Sequence, residues 1–155
     1  MADFRPADDV SISGEDRLYL RFFADPDSAV PLGNGEFRPM SGALIPRRKY
    51  EPLSADLASL CSAPETRNRG GHPGPFNVAV VSVGSVRGLG LRVTRDPIQA
   101  GVEGGPNPAH VLIHGDLPNE NGDLTGGVRR RAAERLARVS RLALPPHHQS
   151  QQAQQ

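Results

Sequence analysis

His110 and His114, four residues apart with Asp116 close behind, come nearest in this chain to a reactive constellation. On a helix that spacing would set both imidazoles on one face about 6 Å apart, within reach of a single metal ion. The intervening Val111-Leu112-Ile113, closed in by Pro108 and Gly115, favours a strand instead. In a strand, positions four apart lie about 13 Å from each other at about 3.3 Å per residue, too far to share an ion. The segment is therefore expected to hold no metal. His110, His114 and Asp116 remain as candidate catalytic acid–base or ligand-orienting groups, with His114 and Asp116 the better-placed pair, and the alternative is that the histidines only hydrogen-bond within the fold. Arg21 or Arg87 would supply the contact to an anion.

Other motifs fail on spacing. Asn119-Glu120-Asn121-Gly122-Asp123 has the oxygen-rich look of a calcium loop. With Gly122 in the glycine position of an EF-hand, however, Leu117 and Val128 fall where the first and last carboxylates belong, so a plain turn is expected. Gly84-Ser85-Val86-Arg87-Gly88-Leu89-Gly90 lacks both the Lys-Ser/Thr ending of a P-loop and the Rossmann glycine spacing. Thr125-Gly126-Gly127 ahead of Arg129-Arg130-Arg131 reads as an ordinary helix cap, with an anion site at a helix N-terminus as the sharper alternative. Cys61, the single cysteine, excludes an intramolecular disulfide and a thiolate zinc site, and reads as a small buried hydrophobe. No nucleophile elbow is present.

A second kind of chemistry lies in the segment 128–144. Placed at 100° per residue, Val128, Ala132, Leu136, Val139 and Ala143 share one narrow arc, which predicts an amphipathic helix docked on a sheet. The other side carries six arginines against Glu134 alone, in a chain whose net charge is only +1. Such a run is usually a solvated face, with Glu134 pairing to Arg130 and Arg138; the sharper reading is a binding surface for an anionic protein partner through Arg131, Arg135 and Arg138. Nucleic acid is the poorer fit, because the balance of the chain is acidic and would oppose a polyanion.

The elements that would position these groups follow from periodicity. Residues 1–16 are acidic and almost without apolar pattern, and read as a flexible lead-in. Strands are expected over 17–23, 76–83, 91–94 and 109–114, from alternation and β-branched content. A short helix is expected over 54–61, with Ser54 as N-cap and Leu57, Leu60 and Cys61 at helical spacing. Repeated Pro and Gly leave 30–52 mostly loop, with a short extended piece at 41–45 and one helical turn within 84–90. Residues 146–155 form a polar, low-complexity tail expected to be disordered. The fold class is α+β: a small mixed or antiparallel sheet covered by two helices, in one loop-rich domain over 17–145.

Length and composition agree. A chain of 155 residues can bury a core without staples, and 17 glycines with 15 prolines favour short elements joined by turns. The N-terminus shows no leader pattern and no stretch is apolar enough to span a membrane, so a cytoplasmic setting is expected, with no cofactor. Arginine outnumbers the one lysine, Lys49, as in GC-rich bacterial coding.

The succession Ser54-Ala55-Asp56-Leu57-Ala58, Phe76 to Val83 with Gly90-Leu91, Asp96-Pro97, and Asn107-Pro108-Ala109-His110 up to Gly115 resembles a family of small uncharacterised bacterial proteins, over roughly 17–145. The resemblance implies a compact bacterial domain and no particular mechanism. With no coherent set of nucleophile, base and orienting group, the leading expectation is a non-catalytic binding or accessory protein acting with a protein partner. The alternative is a small group-transfer enzyme acting on a nucleotide or other phosphorylated ligand.

Overall fold

Alternation of apolar and polar residues along Arg17-Leu18-Tyr19-Leu20-Arg21-Phe22-Phe23 makes that segment a strand, and Phe76 to Ser82, rich in valine, pairs with it along its whole length. The computed structural model describes residues 6–69 and 75–147. Its main sheet has six strands: β1 (Arg17–Phe23), β4 (Leu53–Leu57), β5 (Phe76–Ser82), β6 (Arg92–Arg95), β7 (His110–His114) and β10 (Arg141–Leu142). They lie in the order β10-β5-β1-β4-β7-β6, every neighbouring pair antiparallel. Two hairpins stand beside it, β2 (Ala29–Gly33) with β3 (Glu36–Pro39) and β8 (Leu117–Pro118) with β9 (Leu124–Gly127). The helices are α1 (Ala63–Arg67), α2 (Val83–Gly88) and α3 (Arg130–Val139). The α+β class holds, with the sheet antiparallel.

The register sorts side chains by face. Leu18 lies opposite Leu57, Leu20 opposite Ala79, Ala55 opposite Val111, and Val93 opposite Ile113. These residues form one core with Val83 and Val86 of α2 and Ala133, Leu136 and Ala137 of α3. One residue along each strand the other face begins, where Tyr19 opposes Asp56 and Asp56 opposes His110. The short α1 lies against β1 and β5.

Several expectations are corrected. The segment 54–61 is not a helix: its first part is β4, a central strand, and Leu53-Ser54-Ala55-Asp56-Leu57 alternates in the strand period. Cross-strand partners on both sides outweigh the weak helical spacing of Leu57, Leu60 and Cys61. The helix signal sits eight residues on, where Ser62 caps α1 in a capping box with Glu65. The piece expected at 41–45 is turn, and the loop 30–52 hides the β2–β3 hairpin, whose Gly33-Asn34-Gly35 corner takes positive φ throughout.

The last helix is shorter than 128–144. It ends at Val139 because Ser140, fully buried, donates its hydroxyl to the Leu136 carbonyl. Arg141-Leu142 then joins the sheet edge as β10. The buried stripe is Ala133, Leu136 and Ala137, while Val139, expected inside, is 46% exposed.

The acidic lead-in, expected to be flexible, is fastened from Asp8 onward. The Val93 amide donates to Asp8 Oδ1 at 2.9 Å, the Asp9 amide donates to the Val93 carbonyl at 2.8 Å, and Ile12 is buried in the core. Val93 is on the edge strand, so the segment caps backbone groups that would otherwise be open. The tail from 148 onward lies outside the described residues, as do 70–74. Among the described residues no helix is long and apolar enough to cross a membrane.

Candidate functional site

On its polar face the sheet carries a buried carboxylate. Asp56 is 4% exposed, and its oxygens accept three bonds: from Thr66 Oγ1 at 2.7 Å, Arg69 Nε at 3.2 Å and Asn107 Nδ2 at 2.9 Å. Each donor comes from a different place. Thr66 is in α1, Arg69 follows it, and Asn107 ends a loop closed by the reciprocal backbone bonds of Ile98 and Asn107 at 3.0 and 2.9 Å. A buried acid is tolerated only when so satisfied. Asp56 is thus the post to which both walls of a hollow are tied.

That hollow is a cleft of about 320 Å³. Tyr19, Arg21, Ser54, Asp56 and His110 form its floor, with Thr66 and Arg69 on one side and Ile98, Gly104 and Asn107 on the other. Arg69 and Gly104 also border an outer hollow of about 650 Å³ rimmed by Glu65 and Pro106. Gly105, on the wall, has no room for a side chain: a Cβ there would collide with the Gln99 carbonyl.

Charge in the cleft is unevenly answered. Arg69 is paired to Asp56 through Nε alone. Arg21 donates to the carbonyls of Arg67 at 3.2 Å and Arg69 at 2.8 Å, and its guanidinium lies 4.1 Å from the centre of the Phe76 ring. Burial lowers its pKa, as does the neighbouring Arg69, while Asp56 opposes the shift. Of the two guanidinium groups only Arg69 bonds to Asp56; Arg21 feels its charge without a hydrogen bond. Glu65 at the rim is exposed and holds its own cap, Ser62, which with Arg69 keeps its pKa below the ordinary value.

His110 is fixed by a partner 14 residues away in sequence. Its Nδ1 lies 2.9 Å from the Asp96 carbonyl and 3.1 Å from Asp96 Oδ2, and the side chain is 12% exposed. Both partners accept, so Nδ1 carries a proton, and Nε2 is an acceptor in the ring that holds only that one.

No protein-family model matches this chain. No match is found among curated proteins or solved structures either. The site is accordingly argued from its own geometry.

The structure separates the expected trio. His110 lines the cleft; His114 is buried with Nε2 2.9 Å from Thr94 Oγ1; Asp116 lies past the end of β7 and pairs with Arg129 at 3.0 Å. Between His114 and Asp116, Gly115 ends the strand, its amide bonding to the Gly126 carbonyl. Arg87 is a structural tie, ion-paired to Asp8 at 2.9 Å and donating to the carbonyls of Asp9 and Ile12. Thr125 to Gly127 belong to β9, and α3 begins at Arg130 after an N-cap, Arg129, that makes no side-chain cap bond, so they form no helix-terminal anion site. Asn119 caps the β8–β9 turn by accepting from Asn121 and Asp123. Cys61 sits in a turn and donates to the Leu57 carbonyl. Arg131, Arg135 and Arg138 are exposed on α3. Among the described residues no cluster of His, Cys, Asp and Glu could hold a metal ion.

Asp56, Asp96 and Asn107 entered the sequence reading only through the family resemblance, none of them as a site residue, and Arg69 not at all. Only Asp56 left a signal, as an acid between Ala55 and Leu57 in an alternating segment.

Proposed function

We propose that this chain is a binding protein for a small anionic ligand, which it takes up in the cleft on the polar face of the sheet. The supporting observation is the pair Arg21 and Arg69 set against the single buried carboxylate of Asp56. Besides Asp56, the carboxylates of Asp96 beside His110 and Glu65 at the rim stand near the cleft, so an anion would be held by the guanidinium N–H groups of Arg21 and Arg69, not by a surplus of positive charge. The cleft volume suits a small molecule. The planar guanidinium of Arg69, with Nε engaged, offers its outer nitrogens in the fork geometry that suits phosphate or carboxylate. A phosphorylated ligand such as a mononucleotide fits this description. Calorimetric titration with inorganic phosphate, acetate and a mononucleotide at low salt is expected to show binding that Arg69→Gln weakens at least about tenfold. Equal binding by Arg69→Gln, or none by the wild type, would overturn the reading.

A second reading rests on a separate observation: Arg130, Arg131, Arg135 and Arg138 are all exposed along α3, and among the described residues none is ion-paired. This face would serve association with an acidic protein partner. Gln at 131, 135 and 138 together should then weaken that association, most strongly at low salt, while leaving ligand uptake in the cleft unchanged.

A further inference from the structure

We infer that the cleft selects ligands carrying, beside the anionic group, an O–H or N–H that His110 Nε2 receives. The inference rests on the cleft reading above and adds the second half of the ligand's chemistry. Asp96 offers His110 two oxygens, a backbone carbonyl and a carboxylate, at 2.9 and 3.1 Å from the same nitrogen. Neither can donate, so a hydrogen sits on Nδ1, and a ring that carries only that hydrogen presents Nε2 as a lone pair. Nε2 lies on the far side of the ring from Asp96, and among the described residues no group bonds to it. His110 is one of the residues that line the cleft.

The other polar groups of the floor do not share this restriction. Tyr19 and Ser54 carry hydroxyls, which donate or accept as a ligand requires. The oxygens of Asp56 are already engaged by three donors. His110, with its one proton on Nδ1, is the acceptor, and Arg69, like Arg21, only donates. The two are linked through Asp56, which holds Arg69 Nε and faces His110 across the β4–β7 pair, where side chains stand about 5 Å apart at Cβ. One small molecule can therefore meet both. A ligand that places a methyl group or an oxygen lone pair at Nε2 leaves that nitrogen desolvated and unpaired, which is how a polar site rejects a close analogue.

The test uses probe pairs that differ only in the donor. 2-Hydroxyethyl phosphate is compared with 2-methoxyethyl phosphate, and glycolate with methoxyacetate, by calorimetry on the full chain; the phosphate and carboxylate arms identify the anion. The wild type is expected to prefer the hydroxyl member of at least one pair by about tenfold or more. His110→Phe should bring the two members within about twofold while keeping affinity for the ether, and His110→Gln, which retains an acceptor, should restore part of the preference. Long-range ¹H–¹⁵N spectra should report the neutral His110 ring protonated on Nδ1. Equal binding of hydroxyl and ether by the wild type, with Arg69→Gln still abolishing both, overturns this inference and leaves the cleft reading standing. So does a ring protonated on Nε2. If no probe binds, the cleft reading falls and takes this one with it.

Discussion

On one face of the sheet Leu18, Leu20, Ala55, Leu57, Val111 and Ile113 are each at most 4% exposed, sealed by α2 and α3. One residue along the same strands, Tyr19, Arg21, Ser54, Asp56 and His110 line a cleft. The apolar face is held by non-directional burial; the polar face depends on directed bonds, above all the three that end on Asp56. Because the strand period is two, a slip of one residue would exchange the faces. A slipped β4 would bury Ser54 and Asp56 among aliphatics and break every bond Asp56 makes to Thr66, Arg69 and Asn107. The polar cluster thus helps fix the register on which the apolar core relies.

The largest expected effect comes from the apolar side. Ile113→Ala removes a fully buried side chain from the centre of the core, and urea unfolding should show a loss of about 2–5 kcal/mol. Tyr19→Phe, on the other face, should change stability by less than about 0.5 kcal/mol. Comparable losses from the two would erase the distinction between the faces.

Asp56→Ala asks how far the polar face is also structural. It strands the side chains of Thr66 and Asn107, 4% and 3% exposed, whereas Arg69, with its side chain 25% exposed, can turn to water. About 2–3 kcal/mol is expected in the same assay. A neutral result would mean that the walls of the cleft stand without their post.

How much of this was legible follows from the physics of each part. β1, β5 and β7 announce themselves, because alternation or a β-branched run over seven or five residues has few other solutions. β4 did not, since Ser54 after Pro52 imitates a helix start and the true strand spans five residues. Misplacing β4 hid Asp56, and with it the cleft. His110 was legible as a chemical group, but its orientation depends on Asp96, and Arg69 and Asn107 enter through loops whose paths only the tertiary structure sets. Local pattern finds residues that can react; their partners are chosen by topology.

A smaller effect tests the sheet's edge. Asp8→Ala removes the acceptor of the Val93 amide and the ion pair with Arg87, and should cost about 1 kcal/mol. Amide exchange at Val93 should speed up while that of Ile113, on the neighbouring strand, changes by no more than the global loss requires. Unaltered exchange at Val93 would show that the N-terminal segment does not guard this edge.

The smallest effect separates the two histidines of β7, which share the polar face but not its function. His110 has a carboxylate beside it and opens on the cleft, whereas His114 is 4% exposed. Burial first, and the Arg92 guanidinium second, lower the His114 pKa below its ordinary value, against a weaker opposing pull from Asp96. In the unfolded chain the imidazole titrates near its usual value of about 6.5. Between that pH and the lower folded value the unfolded state binds more protons, so stability falls as pH drops through this window; above about 6.5 both states are neutral and the group contributes no slope. Thermal unfolding of wild type and His114→Gln from pH 8 to pH 5 should therefore give curves that run parallel down to about 6.5 and then converge or cross, the wild type losing stability faster. Carboxylates whose pKa is lowered, Asp9 and Glu65, act at more acid pH and cancel in the comparison. Curves that stay parallel to pH 5 would mean that His114 accepts its proton without cost, and that the buried end of β7 opens to water as readily as the cleft.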